Sequence, residues 1–180
     1  MIGKQQLAID YIIDLQGVRD GSRKFIPKEV AAVTLQDFTV SHWLVAPPCA
    51  FKDLPRDVQL TNSYCSTRLH GVHWLEGDVS LDRLEKHLQD ISIAAERIYL
   101  RGREKAEYIS AIIGRSVVNL EEYHSPSFIK LEGMYKEVGL CNQHKRRSSF
   151  LPSSALCIAR YSSESGFGLP YRPIGWKNQV

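Results

Sequence analysis

Four cysteines in 180 residues are too few to staple the chain, which excludes a disulfide-scaffolded mini-protein. Cys49, Cys65, Cys141 and Cys157 are therefore read as free thiols or metal ligands. Long apolar runs are missing as well: none approaches the ~18 residues that crossing a bilayer needs. Asp10 and Asp14 interrupt the first apolar block, where the core of a signal peptide would lie. The expected setting is intracellular, cytoplasmic or nuclear, with no membrane partner. Neither sign of charge dominates, since Lys+Arg 23 against Asp+Glu 20 leaves a formal +3. That is too little for a tail holding nucleic acid by charge alone, so any such contact must come from a local patch. Low-complexity tracts and internal repeats are also lacking. What is there is 43% hydrophobic content, enough for one core. One domain over residues 1–165 is expected, with an irregular tail over 166–180 that carries Gly166, Gly168, Pro170, Pro173 and Gly175.

Ile9 to Leu15 is β-branched and aromatic and stops at Gly17, as a strand should. Phe25 to Leu35 and Thr39 to Val45 alternate as two more strands around a tight turn near Gln36-Asp37, giving a three-stranded antiparallel meander. Pro47-Pro48 ends it. The stretch up to Asp78, with Pro55, Asn62, Gly71 and Gly77, lacks sustained periodicity and is expected to be loop with short helical pieces. Leu81, Leu84, Leu88 and Ile91 then recur at helical spacing behind a Ser80 N-cap. Arg97 to Leu100 reads as a buried strand ending at Gly102, Glu104 to Ile113 as a helix ending at Gly114, and Ser116 to Leu120 as another strand. Ser125-Pro126-Ser127 can open a short helix, and Pro152 a last one running through Cys157 to about Tyr161. A meander followed by α/β units predicts an α/β mixed sheet, in the order of the ribonuclease-H-like fold used by many nucleases.

Nucleases of that fold hold two divalent metals with four carboxylates. The first strand resembles the opening of DEDD-type exonucleases, but reads Asp14-Leu15-Gln16, an amide where the second carboxylate would stand. The segment Ile98 to Ile109 resembles the one whose central aspartate would fall at about Lys105, and a cation there repels a metal. The last helix, Leu156-Cys157-Ile158-Ala159-Arg160-Tyr161, lacks the His and Asp of the third element. An active divalent-metal exonuclease is disfavoured, because Gln and Lys cannot supply what hard Mg²⁺ demands. Asp14 is then a strand-end acid satisfied by backbone N–H groups.

Cys141-Asn142-Gln143-His144 sets a thiolate and an imidazole three positions apart, and Cys157 returns after twelve intervening residues. Sulfur and nitrogen donors so spaced suit zinc. The alternative makes Cys141 and Cys157 small core hydrophobes and His144 a surface residue. His70-Gly71-Val72-His73 also has ligand-like spacing, although Gly71 favours a structural turn.

Phe25-Ile26-Pro27-Lys28-Glu29-Val30-Ala31-Ala32-Val33, followed by a strand ending in Ala46-Pro47-Pro48, resembles the opening of the Maelstrom domain of germline transposon-silencing proteins. The resemblance extends over most of residues 8 to 162. It implies a ribonuclease-H-like fold that has lost the exonuclease carboxylates and carries a Glu-Cys-His-Cys zinc set, here Glu29, Cys141, His144 and Cys157. Such a set closes the coordination shell and leaves no place for a reactive water, so it would tie the second strand to the last helix. Without metal, Glu29 would pair with Lys28 or an arginine.

The resemblance also implies single-stranded RNA binding, with endoribonuclease cleavage that does not use metal-bound carboxylates. No activated nucleophile or His–Lys pair stands at a recognisable spacing, so catalytic residues are unassigned. Lys145-Arg146-Arg147 lies between zinc ligands beside Phe150 and opposite Arg160, a combination suited to phosphate and base. Arg97, Arg101, Arg103 and Lys105 form a second basic group around a strand end. Tail residues Tyr171, Arg172, Trp176 and Lys177 could add stacking. The alternative from a different class is a zinc-stabilised protein-interaction module with no nucleic-acid role.

Overall fold

The computed structural model describes residues 9–134 and 151–164. Five strands form a single mixed sheet in the order β3-β2-β1-β4-β5. β1 (Ile9–Arg19) and β2 (Phe25–Thr34) are antiparallel, as are β2 and β3 (Val40–Leu44). β4 (Ala95–Leu100) returns parallel to β1, and β5 (Val118–Asn119) lies parallel to β4. The meander and the parallel half expected from the sequence are both present, in the topology of the ribonuclease-H-like fold.

Helices cover both faces. α2 (Leu81–Ala94) and α3 (Arg103–Ile113) bury Leu84, Leu88 and Ile109 against Ile13, Leu15, Val30 and Ala32. Ser80 caps α2 as its sequence indicates, its hydroxyl accepting the Arg83 N–H at 3.3 Å. Gly114 ends α3 in the left-handed region at φ 69°, where a side chain would be strained. On the opposite face α4 (Phe128–Met134) and α5 (Leu151–Glu164) pack Leu131, Ala155, Cys157, Ile158 and Ala159 on Ile12, Ala31, Val33 and Tyr99. Among the described residues no helix is long and apolar enough to cross a membrane.

Three expectations need correction. β1 does not stop at Gly17 but runs through it, with a register shift between Gln16 and Gly17 that leaves Lys28 as the extra residue on β2. Gly17 is required there because a Cβ would lie 2.2 Å from the Ile26 carbonyl oxygen. The irregular middle is more helical than its composition suggests: α1 (Arg56–Tyr64) continues into a π-helical turn over Cys65–Leu69. The last strand is shorter than Ser116 to Leu120, since Leu120–Tyr123 is a 3₁₀ turn.

α1 is anchored by a polar clamp. Asn62, buried, donates from Nδ2 to the Arg19 carbonyl and accepts the Arg19 N–H, both at 2.8 Å, as a neighbouring strand would. Beside it, Val18, Ile26, Leu54, Val58 and Trp74 form a third apolar cluster.

Candidate functional site

Alternation along β1 places Ile12, Asp14, Gln16 and Val18 on one face of the sheet. Ile12 belongs to the cluster under α5 and Val18 to the cluster under α1. The two positions between are polar, and the strip continues across the sheet. Asp14 is opposite Ala31, which is opposite His42, and Gln16 is opposite Glu29. Asp14, Gln16, Glu29 and His42 thus line a polar strip bracketed by two apolar clusters.

Glu29 is fully buried. Burial of a carboxylate is costly unless a partner compensates, and here His42 Nε2 lies 2.8 Å from Oε1. The expected partner of Glu29, Lys28, goes elsewhere. As the bulge residue it is buried and its ammonium donates to the carbonyls of Val45, Trp74 and Glu76 at 2.6, 2.8 and 2.6 Å. Burial pushes that ammonium down to about 8.

Cys157, also buried, projects from α5 into the cluster that contains Ala31 and Val33, the face Glu29 shares. The two ends of the zinc set suggested by the sequence therefore belong to layers packed on each other. Cys141 and His144 lie outside the described residues. Among the described residues no group of three or more His, Cys, Asp or Glu is arranged to hold a metal. The donor chemistry of Glu29 and Cys157 nevertheless suits zinc, a held carboxylate and a thiol screened from solvent. His42 is the site residue that the sequence did not reveal. Its link to Glu29 is diagonal across two strands, and only the β2–β3 register discloses it.

Asp14 is held in an ion pair. Lys105 Nζ donates to Oδ1 at 2.8 Å, and the Leu15 N–H reaches the same oxygen at 2.9 Å. Backbone N–H groups alone do not account for this acid. One turn position earlier, Glu104 receives both Nη atoms of Arg19, so the first turn of α3 is tied to β1 at two points.

The basic residues around that strand end each face a carboxylate or a strand partner. Arg97 pairs in register with Asp10 toward the other end of β1. Arg101 Nη2 is 3.8 Å from Glu121, and Arg103 Nε is 3.6 Å from Glu107 along α3. Lys105 is engaged by Asp14. Arg160 is exposed on α5, while Lys145, Arg146, Arg147 and Phe150 lie outside the described residues. Gly102, at φ 111°, makes the turn from β4 into α3, and its N–H is held by Asn119 Oδ1 at 3.1 Å.

His70 and His73 diverge, the first buried and the second exposed, around Gly71 at φ 75°. His70 Nδ1 accepts the Val72 N–H at 3.2 Å, and burial holds its imidazole below the usual histidine range. This is the structural turn, with a neutral histidine inside it. Cys49 is exposed, and burial pushes the Cys65 thiol up.

No protein-family model matches the chain, and no curated protein matches it.

Proposed function

We propose that this chain is a Maelstrom-like domain in which a ribonuclease-H-like sheet has exchanged nuclease metals for a structural zinc and binds single-stranded RNA, in small-RNA or transposon silencing. The observation that carries this reading is the Lys105 ammonium seated on Asp14, because a fixed cation on the first-strand acid excludes a divalent ion from that oxygen. Gln16 beside it supplies no compensating charge. With hydrolytic metals removed, recognition of the strand is what the scaffold retains, and any cleavage is weak and secondary.

Glu29, Cys141, His144 and Cys157 are the residues that would hold zinc. When bound, zinc in so closed a set supplies a cross-link rather than a reactive water. Glu29 contributes from β2 and Cys157 from α5, so the ion would fasten the last helix to the sheet. Lys145, Arg146 and Arg147, with Arg160 and the strand-end residues Arg101 and Arg103, would meet the phosphates. Lys105, spent on Asp14, is the weakest member of that group.

The test is a gel-shift and cleavage assay on single-stranded RNA with the full chain and with Lys145, Arg146 and Arg147 changed to Ala. Binding that falls with the triple change and with rising salt supports the reading. No binding at low salt, or binding indifferent to the change, overturns it in favour of a protein-interaction module.

A further inference from the structure

We propose that the outward face of α1 seats single-stranded RNA, with Tyr64 as the ring on which a base stacks and Arg56 and Arg68 as phosphate contacts; the choice of ligand rests on the RNA reading above. Residues four apart on a helix share one face. Arg56, Leu60, Tyr64 and Arg68 recur at that interval along α1 and the π-helical turn that continues it, and all four are exposed. Leu60 keeps 58% and Tyr64 59% of its surface open to solvent. One exposed apolar side chain is ordinary in any protein. Two large ones side by side, with a cation at either end, make a surface of mixed apolar and cationic character.

That surface is held rigidly from behind. Val58 and Asn62 lie two residues on from Arg56 and Leu60, on the opposite side of the helix. Val58 enters the third apolar cluster, and Asn62 is clamped to the Arg19 backbone. The Thr61 and Thr67 hydroxyls donate back to the Asp57 and Ser63 carbonyls at 3.0 and 2.7 Å. A ligand meeting this face therefore orders little of the protein as it binds, which preserves affinity.

Charge selects the ligand. Asp57 is the one carboxylate of α1, and Arg23 occupies it, Nη2 to Oδ2 at 2.8 Å. Among the described residues no carboxylate lies within ion-pairing distance of Arg56 or Arg68, whereas Arg19, Arg101 and Arg103 each face a glutamate. Cations without an acid beside them suit a polyanion, and a ring between them suits the base that alternates with phosphate in a single strand. A duplex keeps its bases stacked inside and would leave Tyr64 and Leu60 without contacts.

The experiment measures, by fluorescence anisotropy, binding of a fluorescein-labelled oligouridylate to the full chain and to three variants: Tyr64→Ala, Tyr64→Phe, and Arg56→Gln combined with Arg68→Gln. Tyr64→Ala is expected to weaken binding about 5–150-fold, the loss of one base stack. Tyr64→Phe keeps the ring and is expected to stay within about threefold of wild type. The double arginine change is expected to lower the slope of log Kd against log salt by about 1.4, as for two phosphates of a single strand. Wild-type affinity in Tyr64→Ala, equal losses in Tyr64→Ala and Tyr64→Phe, or an unchanged salt slope would overturn the seat on α1. The RNA reading survives any of these if changing Lys145, Arg146 and Arg147 still weakens binding. A wild-type chain that binds no oligouridylate at low salt overturns the RNA reading itself, and α1 would then be a protein contact.

Discussion

At the scale of single residues, two buried titratable groups do structural work that their sequence neighbourhood hides. Lys28 is next to Glu29 in the chain, yet the bulge sends its ammonium to three carbonyls, Val45 just past β3 and Trp74 and Glu76 in the segment before α2. His70 is neutral inside its turn, its pKa lowered by burial from the ordinary 6.5. The sign of the resulting linkage is fixed. Below the ordinary value the unfolded chain binds a proton that the folded chain refuses, so stability present above about pH 6.5 is lost as pH falls. Chemical denaturation of His70→Gln should therefore show a shallower loss between about pH 7 and pH 5 than wild type does. Parallel slopes would remove His70 as the cause. A third residue acts through what it lacks. Gly17→Ala drives a Cβ against the Ile26 carbonyl, and a loss of about 1–3 kcal/mol is expected from denaturant midpoints at unchanged slope.

At the scale of elements, α3 is the helix that side-chain ion pairs tie to the central strand. Its first turn is fastened to β1 through Lys105 on Asp14 and Glu104 on Arg19. Lys105→Met would remove the cation paired with a largely buried carboxylate, at an expected cost of about 1–3 kcal/mol in thermal or denaturant unfolding. The double change Asp14→Asn with Lys105→Met should recover part of it, and a failure to recover would mean the pair is not coupled. Elements with strong periodicity were legible beforehand: α2 from its four apolar positions and Ser80, α3 from its length and Gly114, the meander from alternation. α1 was not, because only Val58 and Asn62 of its nine residues are buried and little apolar periodicity marks it. The bulge was misread for a physical reason, since glycine at a strand stop and glycine under a close-packed carbonyl look alike in sequence. Within the site, Asp14, Gln16 and Lys105 stood out through the resemblance of their segments to exonuclease elements. The Glu29–His42 contact could not, because it depends on a register that no local signal displays.

At the scale of the whole molecule, the polar strip between the α1 and α5 clusters unites these features. One end of it holds Asp14 under Lys105, and the other holds Glu29 beneath the helix that carries Cys157. On the proposed reading, that face would hold a fastening point in place of a catalytic centre. The most direct test is elemental analysis of the full chain purified without added zinc, paired with an RNA-trimming assay in Mg²⁺. The account expects about one zinc per chain, reduced in Cys157→Ser, and no metal-dependent trimming. A chain free of zinc, or processive 3′ trimming in Mg²⁺ that Asp14→Ala abolishes, would contradict it.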